Sequence, residues 1–170
     1  RGTGTVMIAD PDEWDDAPHP ATGKFNTYVT SPVINIPAGI PAGKIKFAFD
    51  SSWRPEGFDD GDKTNNQTAT VDVKYNGGSF QNVLTWDSNE TGPNFHTDEP
   101  NEAVSGDLAY NGSSTTVQVR FGLTQALNDW WWAIDNVRIF VPSDPTVLRI
   151  NTTTGFAELV GGDVIPETIN

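Results

Sequence analysis

Cysteine is missing from this chain altogether, which excludes disulfides, thiolate metal sites and thiol nucleophiles. Metal chemistry is left to oxygen ligands or to the 2 histidines, His19 and His96. No apolar run approaches the roughly 18 residues of a membrane-spanning helix, so no membrane span is expected. Basic residues are scarce: 10 Lys and Arg stand against 23 Asp and Glu, a net charge of -13. That balance opposes nucleic-acid phosphates and anionic lipid surfaces, and it makes cations natural partners. Catalytic signatures are also missing. There is no Gly-x-Ser-x-Gly elbow, no His-Glu-x-x-His, and neither histidine stands in a motif that would activate a serine. Carboxylates are plentiful enough for a glycosidase pair, but such an enzyme needs a larger cleft, and the chain is expected not to be an enzyme.

What is present is 170 residues, enough for one domain and an appended tail without covalent staples. The sequence opens at Arg1 with no start methionine and no signal-peptide pattern, which reads as a processed or excised piece of something longer. Abundant Asn, Thr, Gly and Asp with few Lys suits a secreted or cell-surface bacterial protein in a calcium-containing medium.

Period-two alternation recurs along the chain and no segment sustains a helical period. Residues 44–49 alternate Ile45, Phe47 and Phe49 with polar neighbours, and Asp50 is expected to leave that strand. Residues 67–75 place Ala69, Val71, Val73 and Tyr75 on one face, and Asn76-Gly77-Gly78 signals a hairpin returning through 79–86. Residues 25–36 are extended with bends at Ser31-Pro32, 103–110 form a weak strand, and 115–121 turn Val117, Val119 and Phe121 inward. The spacing predicts an all-β, two-sheet antiparallel jelly-roll sandwich over residues 1–142. Residues 143–170 form a C-terminal extension, with 146–162 reading as an extended tail or small hairpin. It has nothing of its own to pack on and must dock on a sheet edge or on a neighbouring subunit.

Half of the 6 tryptophans lie together at Trp130, Trp131 and Trp132, running into a strand in which Ala133, Asp135, Val137, Ile139 and Val141 share a face. Asp135 therefore falls on the apolar side, where a carboxylate needs a cation or several donors. Two readings stay open: a calcium ligand, or an acceptor of backbone N–H groups at a strand edge or bulge. Asp10, Asp12, Glu13, Asp15 and Asp16 put 5 carboxylates into seven residues around Trp14, which suggests an ordered loop with a counter-ion. Asp10, Asp12 and Glu13 are thus candidate co-ligands. Asp60 and Asp62 belong to another oxygen-rich loop; an EF-hand starting at Asp60 would need glycine where Asn65 stands, so that motif is rejected.

Asp10 to Asp16, Phe49-Asp50-Ser51-Ser52-Trp53-Arg54, Asn66-Gln67-Thr68-Ala69, Tyr75-Asn76-Gly77-Gly78 and the run from Asn128 to Val137 together resemble a MAM-like jelly-roll module. The resemblance covers residues 5–141. Ala133-Ile134-Asp135-Asn136-Val137 is similar to the last core strand of MAM and related concanavalin-like domains, whose Asp helps hold a structural cation. Such modules are appended to secreted hydrolases and surface proteins of environmental bacteria, where they serve carbohydrate binding, adhesion or spacing. They usually start with an extra N-terminal strand, after which this sequence is expected to begin, and residues 148–160 look like the opening of a following domain.

The function expected is a non-catalytic, calcium-stabilised extracellular module for carbohydrate binding or adhesion, with a polysaccharide or cell-surface glycan as partner. Trp53, Trp86, Trp130 and Trp132 are the candidates for stacking on sugar rings, because aromatic faces suit sugar C–H surfaces. Alternation requires that either Trp131 or the pair Trp130 and Trp132 pack inward. The alternative is a homo-oligomeric fibre or surface-assembly subunit that polymerises by strand exchange through the C-terminal extension.

Overall fold

The best-defined strands of the core, Thr68–Tyr75 and Thr116–Ala126, arise where apolar residues recur at every second position. The computed structural model describes Gly2, residues 4–55 and 66–142, and the backbones of Leu148–Asn151 and Phe156–Leu159. In chain order the elements are β1 (Met7–Ala9), α1 (Pro11–Asp15), β2 (Phe25–Thr30), β3 (Ile34–Asn35), β4 (Lys46–Arg54) and β5 (Thr68–Tyr75). They continue with β6 (Gln81–Asp87), β7 (Glu99–Asp107), β8 (Thr116–Ala126), β9 (Trp131–Phe140), β10 (Leu148–Asn151) and β11 (Phe156–Leu159). One sheet has the order β1-β9-β4-β7 and the other β2-β8-β5-β6, with β3 also pairing β8. The strands pair antiparallel, and the chain crosses repeatedly between the sheets in the order of a jelly roll. β10 and β11 pair with each other as a small hairpin.

The two sheets share one apolar interior. Ala69, Val71 and Val73 on β5 face it beside their register partners Leu123, Phe121 and Val119 on β8. Phe47, Phe49 and Trp53 on β4 meet them from the other sheet, together with Trp132 and Ile134 on β9. The Phe49 ring bridges the layers, with its centroid 5.2 Å from that of Phe121 and 6.1 Å from that of Trp132, both edge-to-face. Gly106 on β7 leaves room for Phe47, since a Cβ there would stand 2.7 Å from the ring.

Asn76 and Gly77 turn the β5–β6 hairpin with φ of 49° and 71°, as the Asn-Gly pair requires. The strand expected to end at Asp50 instead runs on to Arg54. Ser51 and Trp53 keep its inward alternation, and β7 and β9 flank it on either side. The acidic stretch is a short helix rather than a loop: Asp10 caps α1 by accepting the Glu13 N–H at 3.1 Å, Pro11 opens the helix, and Trp14 stacks on His19 at 4.1 Å.

Tyr75 closes one end of the core by donating from its hydroxyl to the Leu108 carbonyl at 2.7 Å. Burial, and then the neighbouring Tyr110, push its phenol from the ordinary 10.0 up to about 12. A phenol whose pKa is raised by folding contributes stability that is complete below pH 10 and is lost as pH rises towards 12. The melting temperature of the wild type should therefore fall between pH 10 and 12 more steeply than that of Tyr75→Phe, as followed by circular dichroism.

Candidate functional site

Asp135 is not on the core face. Between the β4 partners Ala48 and Asp50 the register with β9 shifts: Ala48 opposes Arg138 and Asp50 opposes Asp135, so Asn136 and Val137 stand opposite Phe49 alone. This is a β-bulge, and Asn136 takes the left-handed conformation it needs, with φ of 51°. The extra residue reverses the phase of the strand. Trp132 and Ile134 point inward before it and Ile139 packs inward after it, while Asp135 turns to the outer face. Asp135 Oδ1 accepts the Asn136 N–H at 2.7 Å, and the Asn136 side chain donates to Asp50 Oδ2 at 2.8 Å. Of the two readings of Asp135, the bulge acceptor describes its observed bond.

The expected ligand set is not assembled. Among the described residues no three His, Asp or Glu side chains gather where they could share a metal ion, so Asp10, Asp12 and Glu13 do not join Asp135. Asp10 is occupied in capping α1. Asp60 and Asp62 lie outside the described residues.

The candidate stacking residues separate into two groups. Trp53 and Trp132 are core, 0% and 3% exposed, and their indole N–H groups donate to the His96 carbonyl at 3.1 Å and to Ser51 Oγ at 3.3 Å. Trp86 is half-buried against that core, and His96 lies flat upon it with ring centroids 3.9 Å apart and 13° between planes. Glu102 Oε1, 2.7 Å from His96 Nε2, holds the imidazole there. A sugar cannot reach the face of Trp86 that His96 covers.

Trp130 is different. It stands at the mouth of β9 with 36% of its surface exposed and stacks on Trp131, the centroids 5.9 Å apart and the planes 25° apart. Trp131 is the outward register partner of Arg54, just as Trp132 is the inward partner of Trp53. The Arg54 guanidinium lies 4.5 Å from the Trp130 centroid and 5.5 Å from that of Trp131, and Arg54 Nε makes an ion contact with Asp98 Oδ1 at 2.9 Å. Trp131 Nε1 donates to Ser52 Oγ at 3.2 Å. Both rings are thus braced before any ligand arrives, which lowers the entropy that binding must offset. Ser52 also begins a shallow cleft of about 130 Å³ on the same outer face, lined further by Asp50, Asn101, Ala133 and Asp135. The platform and the cleft form one surface of aromatic faces beside hydroxyl, amide and carboxylate groups. A larger opening of about 290 Å³ lies between β1 and β2, walled by Met7, Tyr28, Val29, Phe121 and Ile134.

Arg54, Asp98 and Ser52 were not among the site residues expected from the sequence, where Trp131 was weighed only against its neighbours Trp130 and Trp132. The signal available was the β4–β9 pairing, which, once known, sets Arg54 opposite Trp131.

No protein-family model matches the sequence, and no curated protein matches it. Among solved structures, TmCBM61 in complex with β-1,4-galactotriose is similar at 12% identity and a TM-score of 0.43, covering 81% of this chain and 82% of its own. The enzymatically active domain of bacteriophage CBA120 tailspike protein 4 is similar at 11% identity and a TM-score of 0.42, covering 84% of this chain. This chain spans 18% of that tailspike chain.

Removing the buried Trp53 with Trp53→Ala should cost about 3–5 kcal/mol in denaturant unfolding. Trp130→Ala, at the exposed platform, should cost under about 1 kcal/mol. Equal losses would contradict the assignment of Trp130 to the surface.

Proposed function

We propose that this domain is a non-catalytic carbohydrate-binding module whose ligand lies along the outer face of the β1-β9-β4-β7 sheet. The observation that carries the reading is the continuity of the Trp130–Trp131–Arg54 platform with the cleft that starts at Ser52 and carries Asp50, Asn101 and Asp135. A sugar presents an apolar C–H face and a rim of hydroxyls. The indole rings offer a flat apolar partner to the first, and Ser52, Asn101, Asp50 and Asp135 offer donors and acceptors to the second. A shallow surface accepts a chain that continues past the domain at both ends, as a polysaccharide does. The net charge of -13 favours a neutral glycan over an anionic one. An extracellular or cell-surface setting, where such chains are met, belongs to the same proposal.

Binding to a glycan array, followed by affinity electrophoresis in gels cast with the polysaccharides found, tests the reading. Wild type should be retarded, Trp130→Ala should lose about tenfold in apparent affinity, and incubation should release no new reducing ends. No retention in any gel would sink the carbohydrate reading, and release of reducing ends would sink the non-catalytic part.

Among the described residues, calcium enters this proposal through Asp50 and Asp135, which oppose each other across β4 and β9. Like charges in that position favour a cation between them. The two carboxylates fall well short of the six to eight oxygens that calcium takes, so backbone or water oxygens would have to complete the shell. A melting temperature several degrees lower in EDTA supports such a site, and an unchanged curve removes it without touching the glycan reading.

A further inference from the structure

The opposite outer face, on the β2-β8-β5-β6 sheet, carries a second built surface that none of the tryptophans reveals. Arg120, Asp72 and Asn82 stand in a row across β8, β5 and β6, with Asp72 in register with both. Arg120 Nε and Nη2 donate to Asp72 Oδ2 at 3.1 and 2.8 Å, and Asn82 Nδ2 donates to Oδ1 at 3.1 Å. Asp72 is only 7% exposed, so the guanidinium charge is met by a carboxylate withdrawn from solvent. Thr85 fixes the amide further by donating to Asn82 Oδ1 at 2.9 Å.

Flat surfaces flank this neutralised row. The guanidinium carbon lies 4.6 Å from the Tyr28 ring centroid and 4.1 Å from that of Phe80. Tyr28 comes from the neighbouring strand β2, opposite Gly122, and a Cβ at Gly122 would stand 2.6 Å from the tyrosine ring. The glycine therefore lets the ring settle onto the sheet. Tyr28 nevertheless keeps 53% of its surface exposed. A network that served only to shield the sheet would gain most by burying that ring; instead its polar groups satisfy one another and more than half of Tyr28 stays exposed.

We propose that this face is a glycan-binding surface in its own right, taking a neutral chain laid across β2, β8 and β5. Tyr28 stacks on a sugar ring, and the Arg120 guanidinium N–H groups that Asp72 leaves free donate to hydroxyls, while the Asn82 amide is spent on Asp72 and the Leu84 carbonyl and holds the row in place. The inference shares with the proposed function the premise that the domain binds glycans, but it uses none of Trp130, Trp131 or Arg54. With both faces active, one domain would bridge two chains.

Affinity electrophoresis in gels cast with galactan, xylan, mannan or mixed-linkage β-glucan tests it on the full chain. Wild type, Tyr28→Ala, Tyr28→Phe, Phe80→Ala and Trp130→Ala are compared, with melting temperatures as the control for folding. In at least one gel, Tyr28→Ala and Phe80→Ala should bind about tenfold more weakly than wild type, while Tyr28→Phe binds like it. Should Tyr28→Ala fail to fold, Phe80→Ala decides. Wild-type retardation by Tyr28→Ala and Phe80→Ala in every gel overturns the second surface and leaves the Trp130 reading standing. No retardation of wild type in any gel overturns both.

Discussion

Two amphipathic sheets can close on one another only if every strand turns its apolar side to the shared interior. In this domain β9 meets that constraint by breaking its own period. The strand must supply Trp132 and Ile134 to the layer around Phe49 at one end and Ile139 at the other, positions that straight alternation would put on opposite faces. Inserting Asn136 in a left-handed conformation reconciles them. The outer surface follows from the same step. With Trp132 and Ile134 fixed inward, Trp131 must face out opposite Arg54 and Asp135 opposite Asp50, while the bulge that follows lets Ile139 return to the core.

The period-two residues made most of the architecture readable. Ala69, Val71 and Val73, the Asn76-Gly77 turn, and Val117, Val119 and Phe121 stand where alternation sets them, because each lies in a regular strand buried on one face. What alternation could not convey is where it stops. One residue of bulge sets Ala133 and Asp135 on the face opposite to the one that alternation counted back from Ile139 gives them, and nothing local marks Asn136 except an amide side chain that tolerates positive φ. Strand length was lost in a similar way. Asp50, Ser51 and Ser52 read as a departure from β4, so Trp53 looked accessible, whereas pairing to β7 and β9 on both sides carries the strand through them.

The same distinction explains which site residues were visible. Trp130 stands out by its type alone. Its partners do not: Arg54, Asp98 and Ser52 are ordinary residues made relevant by contacts that join separate parts of the chain. Trp86 illustrates the reverse case, for its type alone suggests a stacking residue, whereas His96 lies flat upon one of its faces. In both cases the side chain's chemistry was legible and its solvent exposure was not, since exposure depends on residues remote in sequence.

The bulge also bears on whether the sheet edge can serve as a template for another strand. β1 covers only the rungs opposite Trp132, Ala133 and Ile134, and β9 continues beyond it through Arg138 and Phe140. A regular edge of that length, apolar at Val137 and Phe140, would invite strand addition. Asn136 interrupts the hydrogen-bonding rhythm where β1 ends, increases the local twist, and leaves Arg138 exposed on the segment that follows. A strand arriving from another copy would have to pair across this irregularity. The feature that reconciles the core with its alternation therefore also blunts the edge.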